Sequence, residues 1–181
     1  MSDPFRTSWL DEIRAEFRRQ KGLADGAIAQ VDEAAMIRAP DHESNSIAIL
    51  MRHMAGNMRS RWIGFFSTDG EKPDRHRDAE FTLPLGLSRS AMVADWESGW
   101  AAAFKALDAL QPEDLDRQVR IRGEPHSVAR AVNRQLTHYA YHVGQIVLLA
   151  RHWCGTRWRT LSIPLGQSEQ FTDRVRQQYG R

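Results

Sequence analysis

The sequence predicts an all-α protein, a four-helix bundle with a long connection between helices two and three and a short C-terminal extension. Three observations carry this. Four long segments place apolar residues every three to four positions, and each is bounded by cap or breaker residues. Only one stretch alternates polar and apolar residues, and it is too short to found a sheet.

The first helix is read from Phe5, Trp9, Ile13 and Phe17, with the stripe resuming after Gly22 through Ala24, Ala27, Ile28 and Val31. A bend is expected near Gly22. Ala39-Pro40-Asp41-His42 breaks the pattern, and Ser44-Asn45-Ser46 offers N-cap oxygens to a second helix lined by Ile47, Leu50, Met54, Met58, Trp62 and Phe65. Thr68-Asp69-Gly70 marks its end. Glu71 to Leu87 is polar, contains prolines and has no period, as a long connection would. Ser88 caps a third helix along Met92, Val93, Trp96, Trp100, Phe104 and Leu107, which stops before Gln111-Pro112. Gln118 to Gly123 alternates and reads as a short extended piece. Pro125 suits the first turn of a fourth helix through Val128, Val132, Leu136, Tyr139, Val143, Ile146, Val147 and Ala150, stopped by Gly155. Ser168 starts a terminal helical piece around Phe171 and Val175.

With 181 residues, 41% of them hydrophobic, the chain can bury a core, and a single domain over 1–181 is expected. Lys and Arg number 25 against 23 acids, without a basic tract, so nucleic-acid binding is not indicated. The single cysteine, Cys154, excludes an intrachain disulfide and a Cys-rich zinc site, and reads as a packing thiol. Met1-Ser2-Asp3-Pro4-Phe5-Arg6 is charged where a signal peptide needs an apolar run, and no stretch approaches membrane-spanning length. A soluble cytoplasmic protein without a membrane partner is the expectation.

The chemistry-bearing pattern is His138-Tyr139-Ala140-Tyr141-His142. Four residues apart on a helix, two imidazoles project from one face and can share a metal ion. His53 sits on the matching shoulder of the second helix. In a bundle such shoulders meet across the core, so the three imidazoles could converge, bind zinc or nickel and leave a coordination position open. The competing reading of each is a satisfied core histidine. His42, His76, His126 and His152 fall in loops or near helix ends, outside this group. No Glu-x-x-His pair, His-Glu-x-x-His run, phosphate-cradling glycine loop or Gly-x-Ser-x-Gly elbow is present.

Asn45 to Leu50, His53 to Trp62, Thr68 to Pro73, Ile121 to Pro125 and His138 to Gln145 together resemble the DUF1572 group of the DinB and YfiT superfamily of metalloenzymes. The resemblance runs from about Ala27 to about Ser168. His76 stands where the family pattern carries Asn, in a loop expected outside the metal shell. The resemblance implies an up-down-down-up bundle, a homodimer, and a divalent metal held by His53, His138 and His142. Relatives in the superfamily are thiol-dependent S-transferases and isomerases; for the DUF1572 group the resemblance implies no particular reaction.

Three imidazoles without a protein anion among them would leave a metal its full charge, suited to activating a small-molecule nucleophile such as a low-molecular-weight thiol, or water. Asn57, Gln135, Tyr139 and Arg61 are candidates to orient ligands or substrate. The alternatives are a non-catalytic bundle held by a structural metal, with Glu124 or Glu169 as a fourth ligand, and an apolar-ligand binder using Trp62, Trp96 and Trp100.

Overall fold

The computed structural model describes residues 3–180. Met1, Ser2 and Arg181 lie outside them, and with them part of the N-terminal segment read above for a signal peptide. Among the described residues the chain is mostly helical, with six α-helices and one two-stranded hairpin, and no helix is long and apolar enough to cross a membrane.

Helix α1, Pro4–Ile28, starts where the Asp3 side chain accepts from the Phe5 amide and continues without a break through Gly22. Its buried face is Leu10, Ile13, Phe17, Gln20, Ala24, Ala27 and Ile28, with Trp9 packed half-buried against it, while Phe5 is 74% exposed; the anticipated stripe holds from Trp9 onward and fails at Phe5. A short helix not foreseen, α2, Glu33–Ile37, is capped by Asp32. Helix α3, Ile47–Trp62, is capped by Ser46, whose hydroxyl accepts from the Ile49 amide. It ends before Phe65, because Ile63 turns extended and Gly64 takes a positive φ.

Helix α4, Arg89–Ala109, begins at Ser88, which accepts from the Ala91 amide, and buries Met92, Trp96, Trp100, Ala103 and Leu107. Helix α5, Val128–Cys154, is capped by Ser127 and stopped by Gly155 at φ 57°. The most extensive packing joins α3 to α4 and α1 to α5, with further packing of α3 on α5 and α1 on α4. The connection between α3 and α4 contains a 3-10 turn, Arg77–Phe81, that packs against α3. Helix α6, Ser168–Tyr179, buries none of its residues.

The alternating stretch forms strand β1, Gln118–Ile121, paired antiparallel with β2, Glu124–Ser127. Pro125 therefore stands opposite Arg120 in a strand, not in the first turn of α5. The two turn residues, Arg122 and Gly123, both have positive φ (57° and 78°), the backbone that a tight hairpin with right-twisted strands requires. Asp69 anchors this turn by accepting from the Arg122 and Gly123 amides at 2.8 and 2.7 Å. The Gly70 amide donates a further hydrogen bond to the Arg120 carbonyl at 2.7 Å. The segment Thr68-Asp69-Gly70 thus ties the end of α3 to the hairpin that leads into α5.

Candidate metal centre

Helix α3 brings His53, and α5 brings His138 and His142, to one point. One ring nitrogen from each lies within 4.8 Å of the others. His138 Nε2 is 3.4 Å from His53 Nε2 and 3.1 Å from His142 Nε2. His53 and His142 are buried, at 4% and 9% exposure, and His138 is half-buried.

Hydrogen bonds on the far side of two rings determine which nitrogen faces inward. His53 Nδ1 donates to a Glu80 carboxylate oxygen at 2.9 Å, and His142 Nδ1 donates to Gln145 Oε1 at 2.8 Å. Neither acceptor carries a proton to give, so each Nδ1 holds a hydrogen and each Nε2 is the nitrogen turned to the common centre. His138 is neutral. Burial, then the neighbouring His142 and His53, push its pKa down to about 3. Burial likewise lowers the pKa of His142, against the opposing bond to Gln145.

Ring nitrogens gathered this closely need a shared proton or a cation between them. A metal bound through imidazole nitrogens at about 2.0–2.1 Å in a tetrahedron would space those nitrogens about 3.3 Å apart. The observed 3.1 and 3.4 Å separations fit that spacing. The group is a buried three-His cluster that could hold a metal ion, and neutral nitrogen donors of this kind suit zinc and nickel alike.

Glu80 was not foreseen. It comes from the 3-10 turn, 27 residues beyond His53, in the loop expected to lie outside the shell. Burial alone would raise its pKa, but the bonds from His53 and Arg75 outweigh it and hold the carboxylate below its ordinary range. Arg75 grips both oxygens, each at 2.8 Å. Gly56, one turn along α3 from His53, makes this approach sterically open: a Cβ there would overlap the Glu80 carboxylate. An anion therefore does stand beside the cluster, outside it. Gln145, three residues past His142, could have been found from helical spacing; Glu80 could not, since nothing local relates it to His53.

The four proposed orienting residues are placed differently. Tyr139 is fully buried; its hydroxyl accepts from Trp62 Nε1 at 3.0 Å and donates to Asn57 Oδ1 at 3.1 Å. Burial raises its pKa, so the phenol stays protonated. Arg61 is 6% exposed and bonds to the Gly70 carbonyl and to Glu71, the latter at 3.0 Å. Asn57 and Gln135 line a cavity together with His53 and His138. None of the four bonds to the three imidazoles. Glu124 pairs with Arg130, and neither it nor Glu169, on the exposed α6, joins the cluster. Trp62, Trp96 and Trp100 are at most 2% exposed, so the rings suggested as an apolar binding site are packed core. Cys154 is buried, with its thiol donating to the Gln30 carbonyl at 2.9 Å.

Residues 4–167 match the family described as a protein of unknown function, DUF1572. The match takes in α1 as well as every residue of the cluster. Among curated proteins, none matches the chain.

Proposed function

We propose that this chain, which belongs to the DUF1572 family, is a divalent-metal-dependent enzyme acting on a small molecule, with His53, His138 and His142 as the ligands of zinc or nickel. The observation that carries the reading is the convergence of three imidazoles at metal-ligand spacing beside an open cavity. A divalent ion held by neutral donors would bring the pKa of a water or thiol toward neutrality. The chain's part is to hold and aim. Glu80 fixes the tautomer and tilt of His53, and its charge makes the opposite nitrogen a better donor; Arg75 keeps that carboxylate in place and ionised. Gln145 does the same for His142 without a charge.

Catalysis is favoured over a structural role because the described cluster offers three ligands and no fourth, and because a cavity of about 340 Å³ reaches His53 and His138. A low-molecular-weight thiol is the nucleophile proposed first. Membership of the DinB and YfiT superfamily, an up-down-down-up bundle order, a homodimer and a cytoplasmic setting belong to the same proposal and rest on the resemblance of the motifs.

The test is metal content followed by turnover. Protein purified without an affinity tag should carry close to one divalent ion per chain, and His138→Ala should lose it while remaining folded. A folded wild-type protein that takes up no divalent metal would overturn the reading. Zinc loss that unfolds the protein would move the role from catalysis to structure.

A further inference from the structure

The cavity that opens on His53 and His138 has a pronounced chemical bias. Five arginines line it, Arg61, Arg75, Arg77, Arg122 and Arg134, and no carboxylate is among its lining residues. Two of the five are spoken for: Arg61 by Gly70 and Glu71, Arg75 by Glu80 and Glu71. Glu71 must also serve Arg122, at 3.0 Å, so a single carboxylate is shared by three guanidiniums. Arg134 is exposed, and the group it touches is the ring nitrogen of His126, at 3.1 Å. Arg77 lies over the Phe81 ring and reaches only the fully exposed Asp78, at 3.8 Å. Guanidiniums left short of anions around a concave wall focus positive potential into it.

Gln135 supplies an independent observation. It lines the same cavity, is 4% exposed, and its Oε1 is buried without a hydrogen-bond partner. An orphaned buried acceptor is costly and uncommon in a native fold unless a ligand or water completes it. As placed, this oxygen is closed off from solvent, and a donor on a ligand reaches it when the amide turns toward the cavity.

We propose that this cavity recognises an anion: the substrate is a small organic molecule whose carboxylate or phosphate oxygens are held by Arg77, Arg122 and Arg134, with a hydrogen-bond donor directed to Gln135. Guanidinium forks match both oxyanions, which is why arginine suits this role better than lysine. The cavity volume of about 340 Å³ sits at the small end of ligand pockets, so a metabolite fits better than a polymer. That the far end of the substrate meets the three imidazoles rests on the metal-centre reading; the anion contact does not.

The experiment titrates succinate and, separately, inorganic phosphate into the full-length protein at constant ionic strength, following the thermal midpoint, with and without zinc. At least one of the two should raise the midpoint in a saturable way. Arg77→Ala/Arg134→Ala should weaken that binding by about tenfold or more, while Arg130→Ala, whose arginine lies outside the cavity and pairs with Glu124, should bind as wild type. A response to succinate alone assigns a carboxylate, and to phosphate alone a phosphate ester. Absence of any response, or a double variant that binds as tightly as wild type, overturns the proposal. Because both substituted arginines are exposed or half-exposed, the variants should fold, which circular dichroism verifies. Anion binding in protein that takes up no zinc would remove the metal reading alone; zinc uptake without anion binding would remove this one alone.

Discussion

His53 Nδ1 and the Glu80 carboxylate meet at 2.9 Å across 27 residues of sequence, joining α3 to the loop that follows it. The bond makes the loop part of the candidate metal centre, because it determines which nitrogen of His53 is turned toward the cluster. Its removal is the most direct test of how the site is tuned.

Glu80→Gln keeps an acceptor for His53 Nδ1 but removes the charge. Divalent-metal affinity, measured by competition with a chromophoric chelator, should fall by about 10- to 100-fold while the helical circular dichroism signal is retained. Unchanged affinity would mean that the carboxylate serves Arg75 alone.

Gly56→Ala should have a similar effect from the opposite side. The added methyl group overlaps the Glu80 carboxylate, so either the loop moves off α3 or the helix shifts. Overpacking of this kind costs about 1–3 kcal/mol, read as a lower urea midpoint, and should lower metal affinity with it.

Tyr139→Phe separates structure from chemistry. The hydroxyl joins Trp62 to Asn57 within the core, so its loss leaves buried polar groups unpaired at a cost of about 1–3 kcal/mol. Metal affinity should stay near wild type, since Tyr139 makes no bond to the imidazoles.

Acid should weaken the anchor between α3 and the hairpin. Burial raises the pKa of Asp69, but the amides of Glu71, Gly123 and Arg122 outweigh it and bring the carboxylate below its ordinary 3.8. Stability from a lowered carboxylate pKa is fully present above the unfolded value and disappears as pH falls through the folded one. Wild-type stability should therefore decline from about pH 4 downward, and Asp69→Asn should show a shallower decline from a lower starting point. Parallel urea midpoints between pH 5 and 2.5, in roughly half-unit steps, would show that Asp69 does not contribute.

Much of the helical framework could be read locally. Ser46 and Ser88 act as N-caps where their position before apolar runs suggested, because capping depends on a side-chain oxygen and amides two or three residues away. Gly155 stops α5 for an equally local reason, its positive φ. Local reading failed at Pro125. A proline suits the first turn of a helix and the edge of a strand equally, and pairing with β1 decided between them. It failed at Phe5 too, whose spacing continued the apolar stripe of α1 although its side chain is exposed to solvent.

The sequence by itself determined that His138 and His142 share a helix face, since an interval of four is a property of the α-helix and needs no partner. It also marked His53 as lying on a shoulder of its own helix. Only the tertiary structure decided that these faces meet, that Glu80 and Gln145 turn the Nε2 atoms of His53 and His142 toward one centre, and that five arginines surround the cavity in front of them. The physical reason is range. Caps, periods and turn residues act over one or two turns of chain, whereas the protonation pattern and charge of the site come from segments tens of residues apart, brought together by packing.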